Sequence, residues 1–241
     1  MNIILRDMPK QKVQIDLWPF DIHGGFRGFQ QVPEGLHYVA TLHEQSYPSF
    51  WAFVQDETLI KVFDAETASY HDADAETKAT LQQMADSGAV NHRLIAFPEL
   101  AVPQWYRLTN YITPENFAQI PGIEALDIHL QHSNEDILAA YQWAFLQVIV
   151  AYPEHLNAHH MKVWLEWVQI AGATTSEFIA AHVRFYNVFL ELLNLHLELL
   201  PSNYRTETEF IRKGAEAFSE KLQQVGDVEL SVKAKQHQLF A

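Results

Sequence analysis

The apolar residues of this chain change their period near Leu108, and that switch constrains the fold more than any single motif does. Before it, short segments at 12–17, 36–42, 50–55, 58–63 and 93–97 are separated by Gly24-Gly25, Pro33-Glu34-Gly35, Tyr47-Pro48-Ser49 and Asp56-Glu57. The clearest segment is 36–42, where Leu36, Tyr38, Ala40 and Leu42 alternate with His37, Val39 and Thr41, the period-2 pattern of a strand with one apolar face. Val32-Pro33-Glu34-Gly35 ahead of it suits a type I turn, since proline presets φ at the second position and glycine closes the fourth. One helix is expected among these strands, at about 75–85, packed through Leu81 and Met84 and stopped by Ser87-Gly88.

After Leu108 the pattern is helical. Thr113-Pro114-Glu115 offers an N-cap followed by proline at the first helical position, and Ser133-Asn134-Glu135-Asp136 has the spacing of a capping box. Helices are expected at about 114–118, 134–151, 154–171, 176–200 and 207–225. Within 176–200, Asn187, Glu191, Asn194 and Glu198 form one narrow polar stripe, so the helix is buried over most of its circumference. His182 and His196 lie on its apolar side and His160 on the apolar side of the preceding helix; each reads as a core histidine with its hydrogen bonds satisfied.

The expected architecture is therefore α+β. A β sandwich or partly open barrel with one helix spans 1–108, and an all-helical bundle or solenoid domain spans 109–226. An extended or disordered tail follows at 227–241. In that tail Val228, Leu230 and Val232 alternate with Glu229, Ser231 and Lys233, a strand pattern able to add to a sheet edge, which makes those three residues candidates for partner binding.

Composition removes several classes of function. With 48% hydrophobic and 19% charged residues the chain is globular. A net charge of −14 repels phosphate backbones, and the basic residues at 205–213 and 221–235 are diluted by Glu207, Glu209, Glu216 and Glu229, so no direct contact with nucleic acid is expected. The absence of cysteine excludes disulfides, thiolate zinc sites and cysteine nucleophiles, and fits a reducing compartment: the cytoplasm, and the nucleus as well in a eukaryotic source. No secretory signal is visible, and the longest apolar run, 137–152, is interrupted by Gln142 and Gln147 and falls short of the ~20 residues that cross a bilayer, so no membrane partner is expected.

Thirteen histidines make metal-dependent hydrolysis the natural rival reading. His155 and His159 are four apart and share a helical face, but no glutamate follows the first histidine as zinc proteases require. Lys162, Glu166 and Gln169 share that face, and a lysine opposes a cation, so the pair is a weak metal candidate on a solvated polar stripe. His23-Gly24-Gly25 is similar to an oxyanion loop, but no Gly-x-Ser-x-Gly elbow accompanies it. The acids of His71-Asp72-Ala73-Asp74-Ala75-Glu76 suit the lead-in to a helix. His37 reads as a structural hydrogen-bonding residue at the edge of the β domain, and Trp18, Phe20, Phe26 and Phe29 as mostly core. No catalytic residue and no cofactor is assigned.

Several motifs occur in one order along the chain. They are Ile15-Asp16, Phe26-Arg27-Gly28, Pro33-Glu34-Gly35-Leu36-His37, Trp105-Tyr106-Arg107-Leu108-Thr109 and Gln142-Trp143-Ala144-Phe145-Leu146. Together they resemble the AAR2 family, also called the a-one cistron-splicing factor family, in a compact form without a long spacer between domains. Gln14 departs from the pattern, in which many relatives have glycine. The resemblance implies an N-terminal β domain, a C-terminal helical domain and a chaperone-like, non-enzymatic role. Its relatives escort the central protein scaffold of a spliceosomal ribonucleoprotein particle, so the implied partner is a protein, such as that large scaffold. The alternatives are a helical adaptor unrelated to splicing, if the source has no spliceosome, and a histidine-dependent metal hydrolase.

The charge pattern generates a direct test. Binding to single- and double-stranded RNA at physiological salt should be no tighter than the nonspecific range of roughly 10⁻⁴ to 10⁻⁶ M. Salt-sensitive association below a micromolar would overturn the reading.

Overall fold

Ile3-Ile4-Leu5 is buried on both sides, and a run of this kind shows no alternation because neither face meets water. It forms the central strand of the first of two sheets. The structure, a computed structural model, describes residues 1–8, 12–22, 24–42, 48–120, 133–150, 158–200, 218, 220–222 and 224–226. The chain divides into two units, Met1–Tyr106 and Arg107–Ala241.

The first unit contains β1 (Ile3–Arg6), β2 (Lys12–Ile15), β3 (Trp18–Asp21), β4 (Gly28–Gln30), β5 (Gly35–Leu42), β6 (Ser49–Val54), β7 (Leu59–Asp64), β8 (Ser69–Asp72) and β9 (Leu94–Ala96). One sheet has the order β8-β7-β1-β4-β9 and the other β3-β2-β5-β6. The second is wholly antiparallel; in the first, β1 runs parallel to β7 and β4 parallel to β9. Ile3, Leu5 and Phe29 of one sheet and Val13, Ile15 and Val39 of the other share a core with Phe97, so the sheets form a sandwich. Trp18, Phe20 and Phe26 pack partly buried against this core.

The opposite face of the first sheet carries α1 (Ala75–Asp86). Ile4, Ile60 and Leu94 meet Ala85 and Val90, with Leu81 packed against them. Asp74 caps the helix, accepting from the Thr77 N–H at 2.8 Å, and this bond holds the Asp74 carboxyl below its ordinary range. Met84, expected to pack on the sheet, is instead exposed, because Ala85 occupies the inward position.

β1, β3, β4 and β8 were not anticipated from the pattern. Besides the unalternating β1, β4 has three residues and opens on a glycine. The expected type I turn at 32–35 is a bend without the turn's hydrogen bond. His37 lies on β5, an interior strand between β2 and β6, and not at an edge.

The second unit is helical: α2 (Val102–Thr109) crosses the division, followed by α3 (Pro114–Phe117), α4 (Asn134–Ile149), α5 (Ala158–Ala173), α6 (Ser176–Ala181) and α7 (Val183–Leu199). Residues 218, 220–222, 224 and 225 are also helical. Thr113, Ser133 and Thr175 supply side-chain caps, the first in a full capping box with Asn116. The single helix expected over 176–200 breaks at His182 (φ −125°, ψ 34°), whose N–H returns to the Ile179 and Phe178 carbonyls. The polar stripe holds: Glu191 and Glu198 are exposed, Asn187 and Asn194 half-buried.

Aromatic packing centres on His196. Its ring stacks on Phe145 of α4 at 3.9 Å, and Trp164 of α5 donates its indole N–H to His196 Nδ1 at 3.2 Å. An accepting Nδ1 fixes the Nε2–H tautomer, and Nε2 is buried without a partner among the described residues. Among those residues this core histidine is therefore only half satisfied, and His160 Nδ1 likewise lacks a partner. Burial pushes the His196 imidazole well below its ordinary value. A depressed pKa stabilises the fold above the unfolded value near 6.5, and the contribution is lost as pH falls through the folded value. His196→Ala should cost about 1–3 kcal/mol at pH 8 in urea unfolding, and should lose less further stability than the parent on acidification. Equal acid sensitivity in both would show that His196 is not the responsible group.

Candidate functional site

The motif residues of the first unit converge on a buried polar node. β2 and β3 are joined by Asp16-Leu17, with Ile15 opposite Trp18. Asp16 has φ 54°, a left-handed conformation that aspartate and asparagine adopt more readily than most residues. The residue lies against Tyr38 of β5, one step beyond the Ile15–Val39 pair. Its N–H donates to the Tyr38 carbonyl at 2.7 Å, while the Tyr38 N–H donates to Asp16 Oδ1 at 2.9 Å. The side chain thus replaces the backbone carbonyl in the ladder, and that carbonyl accepts from Gln14 Nε2. Gln14, the departure from the family pattern, is accordingly buried and employed.

The other carboxyl oxygen, Oδ2, lies 2.8 Å from His37 Nδ1, and His37 Nε2 lies 3.0 Å from the Pro33 carbonyl. Asp16 is 0% exposed and His37 1%. A carbonyl can only accept, so Nε2 must carry a proton and donate. Nδ1 and Oδ2 then need one further proton between them. The separation alone would admit an ion pair. Burial, however, pushes the Asp16 carboxyl up more strongly than His37 and the Tyr38 N–H pull it down. The carboxyl and the imidazole share that proton across the 2.8 Å contact.

Aromatic rings seal this bridge. Phe97 meets the His37 ring edge-on at 5.6 Å, and Trp105 stacks on it at 6.3 Å with 20° between planes. Trp105, itself buried, donates its indole N–H to the Leu36 carbonyl at 2.7 Å, and Trp51 stacks with it at 6.4 Å. Gly28 holds a different constraint: φ is 141°, and a Cβ there would lie 1.9 Å from the Ile3 carbonyl oxygen. Gly35 opens β5 at φ 130°. Ile15 is core, Phe26 packs edge-on against Phe29 at 5.4 Å, and Tyr106, 63% exposed, faces solvent.

In the second unit Gln142, fully buried, accepts from the Tyr111 N–H at 3.0 Å and donates to the Arg107 carbonyl at 2.9 Å and Asn110 Oδ1 at 2.8 Å. It satisfies a carbonyl left open at the end of α2.

Spacing gave His37 no carboxylate partner, yet Asp16 is one, 21 residues away. The signal available was that a histidine on a strand with a buried face needs two partners. Of the weak metal candidates, His155 lies outside the described residues. His159 is exposed and borders a cavity of about 410 Å³ among Phe117, Trp143 and Trp167, while Lys162 pairs with Glu166 at 3.6 Å. Among the described residues no group of three His, Asp or Glu side chains could hold a metal ion. His23, Val228, Leu230 and Val232 also lie outside the described residues. No described helix is long and apolar enough to cross a membrane.

A family model, the AAR2 N-terminal domain, matches residues 1–122. No relative among the curated proteins matches the chain.

Asp16→Asn tests the node. An amide can donate to His37 Nδ1 and accept from the Tyr38 N–H, so this variant should fold with nearly parental stability. Asp16→Ala should cost about 2–4 kcal/mol by leaving both partners unpaired. A raised carboxyl pKa stabilises the fold fully below the unfolded value near 4, and that contribution is lost as pH rises through the folded value. Urea unfolding across pH should therefore show Asp16→Asn gaining on the parent as pH rises. No gain as pH rises would show that folding takes up no proton at this node.

Proposed function

Because the chain belongs to the AAR2 family, we propose that it is a non-enzymatic, protein-binding assembly factor of splicing, whose partner is a large spliceosomal scaffold protein. The observation that supports a non-enzymatic reading is the state of His37. Both of its ring nitrogens are engaged, and it is 1% exposed beneath Trp105 and Phe97, so it can reach no substrate. Residues common to the family pattern support a fold here; they do not line an open reaction site.

Holding or masking a surface of the partner would delay a competing subunit. A chain of net charge −14 is suited to steering toward a basic protein surface and unsuited to gripping RNA directly. The place of action we propose is the cytoplasm, and the nucleus as well in a eukaryotic source.

Affinity capture from the source organism, with mass spectrometry after nuclease treatment, tests the reading. The expected result is a scaffold protein of a ribonucleoprotein particle, retained when RNA is digested. Loss of the protein with the RNA, or recovery of no ribonucleoprotein component, would overturn it.

A further inference from the structure

Three of the chain's seven arginines, Arg6, Arg27 and Arg93, are far apart in sequence and border one cleft. Topology brings them together. Arg6 ends β1, Arg27 precedes β4, and Arg93 precedes β9. β4 runs antiparallel to β1 and parallel to β9, so the end of β1 and the starts of β4 and β9 lie at the same end of the sheet. The Leu5 N–H donates to the Arg27 carbonyl at 2.7 Å, and the Arg27 N–H to the Arg93 carbonyl at 2.8 Å. The three arginines therefore flank three successive strands, about 4.8 Å apart, and border the cleft together.

The cleft has a volume of about 410 Å³, within the range of ligand sites. Ile4, Leu81, Met84 and Val90 give it an apolar side, and Thr77 and Thr80 of α1 add hydroxyls. The arginines differ in occupation. Arg6 lies 3.2 Å from Asp7 and donates to Thr77 Oγ1 at 3.3 Å, and Arg93 donates to His92 at 3.1 Å. The Arg27 side chain has no hydrogen bond or ion pair among the described residues, although it is half-buried. Guanidinium groups held together repel one another, and a carboxylate between them would relieve that repulsion through paired, charge-assisted hydrogen bonds.

We propose that this cleft docks an acidic–apolar peptide segment of a protein partner, with a carboxylate on Arg27 and Arg93 and a neighbouring apolar side chain against Leu81 and Met84. The inference rests on reading the chain as a protein-binding factor. Peptide fits better than nucleic acid for two reasons. Three cations in a chain of net −14 give no extended basic track for a phosphate backbone, and a phosphodiester backbone has nothing to place on the apolar side.

The probe is a fluorescein-labelled hexapeptide of alternating Glu and Leu, titrated against the full chain by fluorescence anisotropy. Saturable binding is expected, weakened at least about tenfold by Arg27→Ala combined with Arg93→Ala. Thr80→Glu, on the exposed side of α1, should weaken it similarly without touching the sheet, which guards against a folding defect in the double variant. A peptide with Ser in place of Leu should bind more weakly, and single-stranded polyuridine should not compete. Absent saturation, undiminished binding by Thr80→Glu, or displacement by polyuridine would each overturn the proposal. Capture of the scaffold partner separates the two readings. Equal capture by parent and Thr80→Glu would overturn the cleft while leaving the assembly role intact, whereas cleft-dependent peptide binding without scaffold capture would support the cleft and overturn the role.

Discussion

The first unit depends on a single proton held between Asp16 and His37. Without it, two acceptors would face each other in a site sealed from water, or the imidazole would turn its other lone pair on the Pro33 carbonyl. Everything around the bridge is arranged to keep it in place. The left-handed Asp16 closes the β2–β3 connection, its side chain completes the ladder to Tyr38, and the Pro33 carbonyl accepts from His37. Trp105 then ties α2 to the β5 backbone at Leu36 and covers the imidazole. Buried polar groups of this kind contribute little net energy when satisfied and cost much when broken, so they specify one arrangement.

The helical unit uses the same device with an amide and a half-satisfied imidazole. Gln142 reads the end of α2 and the start of the following turn through three hydrogen bonds, which fixes where α4 meets them. His196 accepts from Trp164 and stacks on Phe145, linking α4, α5 and α7, at the cost of a buried Nε2 without a partner among the described residues. The two units thus respond to pH in opposite senses: the carboxyl of Asp16 favours acid and the imidazole of His196 favours neutrality.

For function, the consequence is a division of the motif residues between those that are enclosed and those a partner could touch. Asp16, His37, Gly28, Trp105 and Gln142 are enclosed or sterically committed, whereas other motif side chains stay accessible. Tyr106 faces solvent, Arg27 borders the cleft beside α1, and outside the motifs Leu100 is 98% exposed.

The amino-acid sequence by itself determined the division into strands and helices, the strands of the second sheet around 36–42, the caps at Thr113 and Ser133, the burial of the 183–199 helix and the family. The elements follow from local period and capping, which act between residues a few positions apart, and the family from the order of its motifs. Only the tertiary structure decided that Ile3-Ile4-Leu5 is a central strand, that His182 breaks a helix, that Asp16 is the partner of His37, and that Arg6, Arg27 and Arg93 share a cleft. Each of these depends on which strands become neighbours and in what register. Local periodicity carries no record of that choice, since strand pairing joins residues tens of positions apart and a strand covered on both faces shows no alternation.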